Sequence, residues 1–261
     1  AAIGDGGQAN SNTSETFASS SLMLDMGDMG TVGFDQGVGE FGVGTIDDKM
    51  PYAYEEIWTY TGASNGLKAA GGCNVVGYKN TMAGYTLSLE IDPGHSESLT
   101  DTSGCSGDGG NSGAGITRSG YNWAITGSPV DGVNIGFGMG EEADKDENAT
   151  TAEDDQYMTA YATYAMGGIT VGYQASANEG GTAGAANNEV EIYGLSFAVN
   201  DNLAISVNQM DNEVHHVSAA VVTEETTGYA ASYTMGSASV RILNAETTHL
   251  GGVTTAAAVE H

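Results

Sequence analysis

The sequence predicts an all-β fold, a transmembrane antiparallel β-barrel, and three observations carry that expectation. Period-two alternation recurs along the chain while helical periodicity is nearly absent. Short turns alternate strictly with long polar connections. The strand face opposite the large apolar residues holds mostly Gly, Ser, Thr, Asn and Gln, with the charges pushed into loops.

The alternation is plainest in three stretches. Tyr85, Leu87, Leu89 and Ile91 share one face, against Thr86, Ser88, Glu90 and Asp92. Tyr121, Trp123 and Ile125 lie opposite Asn122, Ala124 and Thr126. Val133, Ile135, Phe137 and Met139 lie opposite Asn134, Gly136, Gly138 and Gly140. Twelve strands are expected, at 15–25, 30–37, 72–80, 84–92, 116–126, 132–140, 156–166, 168–177, 189–199, 202–210, 226–235 and 237–246, with 254–260 opening another. Strands of about 9–11 residues cross a bilayer when tilted.

The turns at 25–29, 81–84, 127–132, 166–168, 200–202 and 235–236 are short and carry Gly, Asn, Asp or Pro. Between them stand long polar segments at 38–71, 93–115, 141–155, 178–188, 211–225 and 245–253. In an antiparallel meander alternate connections lie at opposite ends. One end is therefore trimmed and the other carries all the large loops, which a sandwich has no reason to do and an outer-membrane barrel does. A soluble sheet would also show charges on its second face.

Composition narrows the function. The 261 residues suffice for one large domain or two ordinary ones, and the strand pattern is read as one. They include 34 acidic against 6 basic side chains, a formal charge of −28. Nucleic acid, which needs a basic footprint, is excluded as a partner. Gly counts 40 and Pro 3 without a collagen period. No run approaches 18 apolar residues, so no transmembrane helix is expected. Residues 1–15 lack the basic and apolar regions of a signal peptide.

With turns, strands and loops in place, the chain resembles the general porins of alphaproteobacteria. The residues that carry the likeness are "GTVGFDQGVGEFGVG" (30–44), "IDDKMPYAYEEIW" (46–58) and hairpins such as "GYAASYTMGSASVRILN" (228–244). The resemblance implies a 16-stranded homotrimeric barrel integral to a bacterial outer membrane, in contact with its lipid, of which about 12–13 strands are present here. On that register three strands precede residue 15 and the last is cut after 254; the terminal aromatic usual in such barrels is replaced by "AVEH". The segment 38–71 would fold inward as a constriction loop, with Asp47, Asp48, Glu55 and Glu56 as its carboxylates. A charged ring in a narrow channel sets ion preference; an exposed acidic loop is the alternative reading.

Strand parity supplies the opposing cations. Arg118 is in step with Asn122 and Thr126, Arg241 alternates with Val240 and Ile242, and Lys79 with Tyr78, so all three face the polar side. With so few cations, a preference for cationic or neutral solutes follows. The function expected is passive diffusion of small hydrophilic solutes and ions, with no catalytic residues and no required cofactor. The alternative is a self-assembling or adhesive extracellular β-rich protein.

Cys73 and Cys105 are the only cysteines, and both fall on the long-loop side. A disulfide tethering two outer loops is expected, with two free thiols as the alternative. In "DKDENATTAEDD" (144–155), Asp144, Asp146 and Asn148 take the first odd positions of an EF-hand-like loop and Asp155 ends it, but the central Gly is missing. That makes a weak calcium candidate, with a plain solvated loop as the alternative. "GVGEFG" (37–42) has no helix after it, "GASNG" (62–66) lacks its strand–turn–helix, the histidines show no zinc spacing, and two glycosylation sequons carry little in such a membrane.

The hairpin 157–177 condenses the expectation. Ala160, Ala162, Ile169 and Val171 would face lipid, Tyr164 and Tyr173 an aromatic girdle, and Tyr157, Thr159, Tyr161 and Gln174 the pore, giving lipid outside, water inside and no protein core.

Overall fold

The computed structural model describes residues 20–36, 39–67, 75–93, 95–96, 116–117, 119–143, 154–180, 186–216 and 219–260. Its strands are β1 (Ser20–Asp25), β2 (Thr31–Gln36), β3 (Val75–Met82), β4 (Tyr85–Asp92), β5 (His95–Ser96), β6 (Ile116–Thr117), β7 (Gly120–Gly127), β8 (Val133–Glu142), β9 (Asp155–Met166), β10 (Ile169–Glu179), β11 (Asn187–Asn200), β12 (Leu203–His215), β13 (Val222–Met235), β14 (Ala238–Thr248) and β15 (Val259–Glu260). β5 and β6 pair with each other alone; the rest form one 13-stranded antiparallel sheet in chain order. Among the described residues β1 and β15 are its two edges and do not pair with each other, so the sheet is not closed there into a complete barrel.

Short turns join the strands at one end, as alternation of connections requires. β9 and β10 are separated only by Gly167 and Gly168, and β13 and β14 only by Gly236 and Ser237. Gly167 and Gly236 have φ of 63° and 60°, the left-handed backbone that tight hairpins need.

Burial is inverted relative to a soluble sheet. On β4, Ser88 and Glu90 are buried while Leu89 and Ile91 are exposed, Ile91 to 58%. On β9 Tyr157, Thr159 and Tyr161 are buried and Met158 and Tyr164 exposed; on β10 Gln174 and Ser176 are buried, and Val171 and Tyr173 exposed. The outward apolar band continues through Tyr193, Leu195 and Phe197, Ile205 and Val207, and Val240 and Ile242. Polar side chains therefore face in and apolar ones out, the arrangement a lipid solvent favours.

Several strands run further than the apolar pattern suggested. β11, β12 and β13 reach 14, 13 and 14 residues, so most of 211–225, expected as a loop, is strand. Acidic side chains made Asp211–His215 read as a connection. Backbone pairing is indifferent to them, and Asn212 and Val214 keep the inward alternation while Glu213 points out.

The inward side is not filled by water alone, and here the sequence reading is corrected. Residues 39–67 lie against that face and build a core in which Val43, Ile46, Met50, Ile57 and Trp58 meet Ala124, Tyr157, Tyr161, Val190, Ile192 and Met210. Wall glycines make the room. A Cβ on Gly77 would stand 2.0 Å from Phe41 Cγ, and one on Gly172 2.5 Å from Pro51 Cδ. Gly194 also receives Pro51, and Gly228 receives Ile57 at 2.8 Å. The small residues on the polar face are thus seats for the loop's large ones.

Gly77→Ala tests this. Its methyl group must displace the fully buried Phe41 ring, and overpacking of this kind costs about 1–3 kcal/mol. A thermal melt of the detergent-folded protein, followed by circular dichroism, should fall by several degrees, at roughly 2–4 °C per kcal/mol for a chain of this size.

Candidate pore constriction

The loop is fixed to the wall by hydrogen bonds as well as by its apolar anchors. The Gly42 N–H donates to Ser88 Oγ at 2.9 Å, and the Val43 N–H to Asn122 Oδ1 at 2.6 Å. Further along, the Ala53 N–H donates to Ser206 Oγ at 2.9 Å and Asn208 Nδ2 donates to the Pro51 carbonyl at 3.0 Å. Ser88, Asn122, Ser206 and Asn208 are buried inward residues of β4, β7 and β12. A polar wall side chain at each point satisfies loop backbone that would otherwise be buried without a partner.

Between these anchors the chain turns its carboxylates toward one another. Asp47, Asp48 and Glu56 each offer an oxygen, all within 4.8 Å of one another. Asp47 and Asp48 are exposed, Glu55 is half-buried, and Glu56 is buried at 6% exposure. Asn65 Nδ2 reaches Asp47 Oδ1 at 3.4 Å. One Glu56 oxygen, Oε1, is buried without a hydrogen-bond partner.

That environment sets the protonation. Burial pushes the Glu56 carboxyl up to about 9, reinforced by a hydrogen bond with Asp48 and by the charges of Asp48, Asp47 and Glu55. Asp47, open to solvent on one side but partly desolvated by the loop around it, is raised as well, first by that desolvation and then by the neighbouring Asp48, against the lowering effects of the Asp48 N–H, Lys49 and Asn65. Tyr52 is pushed up to about 12 by burial and the same four carboxylates. At neutral pH Glu56 therefore holds a proton, and its O–H is the donor toward Asp48. Three oxygen ligands so placed can share a proton or accept a hard cation.

The basic residues expected opposite the loop divide into three cases. Lys79 Nζ pairs with Glu40 Oε2 at 3.1 Å and stands 5.6 Å from the centroid of the Phe41 ring. The Arg241 guanidinium stands 5.4 Å from the centroid of the Tyr54 ring. Both side chains thus reach the loop from opposite ends of the sheet. Arg118 lies outside the described residues, as do Cys73, Cys105, Asp144, Asp146 and Asn148. Asp155 opens β9 and pairs in register with Glu142.

Sequence reading missed Glu40 as the partner of Lys79, and the Ser88, Asn122, Ser206 and Asn208 anchors. Their inward parity was readable; the loop atoms they meet, 46 to 157 residues away in sequence, were not.

With this geometry in place, the chain is similar in structure to several known barrels. Outer-membrane expressed OmpT of Vibrio cholerae superposes with a TM-score of 0.62 at 13% identity, over 89% of this chain and 70% of that one. An anion-selective porin from Comamonas acidovorans gives 0.61 at 13%, over 91% and 69%. A porin refined at 1.8 Å resolution gives 0.53 at 12%, over 87% and 74%. No family model and no curated relative matches the sequence. The chain has the antiparallel outer-membrane β-barrel fold of the porins.

Glu56 gives the site a pH signature. Its raised value means that its contribution to the folded state is full below about 4.5 and fades as pH climbs through about 9. Above that pH the ionised carboxylate adds a charge beside Asp47 and Asp48. Cation preference, read as the reversal potential across a salt gradient, should rise between pH 8 and 10 (roughly bracketing that value) and stay flat in Glu56→Gln. A rise of equal size in the variant would remove Glu56 as its origin.

Proposed function

We propose that the chain is an outer-membrane general porin of the alphaproteobacterial type. It passes small hydrophilic solutes and ions by passive diffusion, prefers cations and performs no covalent chemistry. The observation that supports this reading best is the loop docked on the inward face with Asp47, Asp48 and Glu56 converging on it. A filter of that kind screens solutes by size and charge without binding them tightly.

The outward apolar band favours an integral position in outer-membrane lipid, and it favours the channel over an adhesive β-protein, whose exterior would be polar. The balance of 34 acidic to 6 basic residues supports cation preference. The Comamonas relative in structure is anion-selective, so selectivity in this fold follows side chains rather than architecture. A homotrimer is the assembly we infer. A trimer form of the Vibrio cholerae OmpT, similar at a TM-score of 0.56, supports it. The tether between Cys73 and Cys105 belongs to the same proposal.

Purified protein in a planar bilayer should give stable, ohmic, cation-preferring steps, and a folded, reconstituted sample that never conducts would end the porin reading. Arg241→Glu removes one of the few lumenal cations and should raise cation preference further; Arg118→Glu should do the same. Unchanged reversal potentials in both would place these side chains away from the ion path.

A further inference from the structure

On the outward face, β11 and β12 bring like charges directly opposite each other twice. Glu191 is the register partner of Asp211, and Glu189 that of Glu213. Like charges in directly opposed positions destabilise a ladder unless something offsets them.

The first pair is offset by donors. Tyr173 Oη and Tyr193 Oη donate to the two oxygens of Glu191, at 2.6 and 3.2 Å, and Gln209 Nε2 donates to both oxygens of Asp211 at 3.1 Å. The second pair has nothing comparable. Among the described residues the Glu189 and Glu213 carboxylates make no hydrogen bond, and only His215 approaches them. Its Nε2 stands 3.9 Å from Glu189 Oε1 and 3.7 Å from Glu213 Oε2. Neither distance is a hydrogen bond. Yet Nε2 is sealed from solvent and has no hydrogen-bond partner.

One imidazole nitrogen and two carboxylate oxygens, mutually within 4.8 Å, share a common centre. Ligands at the usual zinc distances stand roughly 3.4 Å apart around a tetrahedron. His215 Nε2, at 3.9 and 3.7 Å from the two carboxylates, stands a few tenths of an ångström beyond that separation. The carboxylate oxygens, within 4.8 Å of each other, come together by rotation of the two exposed glutamate side chains. The nitrogen argues against calcium or magnesium, which take oxygen ligands, and the absence of cysteine argues against a soft ion.

We propose that Glu189, Glu213 and His215 form a divalent transition-metal site on the outer rim of the barrel, with zinc as its best-fitting ion. The ion cross-links β11 and β12 beyond the apolar band, near the start of β11 and the end of β12. It offsets the charge of the unrelieved glutamate pair and occupies the orphaned imidazole nitrogen. Water completes the coordination, because Glu189 and Glu213 are exposed. The role is structural and independent of the pore.

Zinc titrated into the detergent-folded full chain at pH 7.5, by calorimetry and by competition with a chromophoric chelator, should bind at this site and raise the melting temperature. His215→Gln and Glu213→Gln should each weaken binding at least as much as loss of an outer-shell partner does, about 10–100-fold. Glu191→Gln, one row away, should bind as the parent does. Cobalt in place of zinc should show the intense visible bands of a tetrahedral nitrogen–oxygen site in the parent and in Glu191→Gln, and lose them in His215→Gln. No saturable zinc binding by folded parent would overturn the proposal, and so would binding unaffected by His215→Gln and Glu213→Gln. If the melting temperature responds to protonation of His215 alone and never to metal, the imidazolium is the cation and the site is refuted.

Discussion

The seating of residues 39–67 on the inward wall is the contact on which the interior depends. A sheet with polar residues inside has little apolar surface there to hold anything in place. Phe41, Ile46, Pro51 and Ile57 supply it from the loop, and the wall answers with glycines whose missing side chains leave matching hollows. Hydrogen bonds accepted by Ser88, Asn122 and Ser206 and donated by Asn208 then fix the loop's position along the strands. Each part alone is weak. Apolar knobs without hollows would clash, and backbone pinned only by polar bonds would exchange them for water.

This anchoring gives the acidic cluster its character. Carboxylates on a free loop would be solvated and fully charged. Held against the wall, Glu56 is desolvated and kept neutral by its neighbours, while Asp47 and Asp48 remain at the surface. The interior therefore carries graded rather than uniform charge, with Lys79 bound to Glu40 on one side and Arg241 over Tyr54 on the other. For Glu56, packing rather than composition decides whether this acid of the loop is charged at neutral pH.

What the sequence disclosed follows the range of each signal. Alternation in Tyr85–Asp92 or Val133–Glu142 is a property of neighbours, so strand identity and facing were readable, as were the turns at Gly167 and Gly236. Asp211–His215 was misread because acidic composition was taken as a sign of a connection. Val190, Ile192 and Met210 break the polar-inside rule only where the loop covers them, so nothing local announced them. The Glu189–Glu213–His215 set escaped because, although Glu213 and His215 share a face of β12 two residues apart, Glu189 joins them only through strand register.

Strand order in the sheet repeats chain order without a crossover. Each hairpin can therefore close on its own short connection, and the sheet can lengthen by adding one neighbour at a time at low entropic cost. The loop obeys a different schedule. Its bonds to Ser206 and Asn208 span 153 and 157 residues. Although Pro51 already has Gly172 and Gly194 to sit on, the loop's backbone there is not pinned until β12 exists, and the Gly228 seat of Ile57 waits for β13. Wall contacts are thus short-range in sequence, whereas those that furnish the interior are long-range. Without β12 the Ala53 N–H and the Pro51 carbonyl of the loop have no partners, whatever the state of the strands before it.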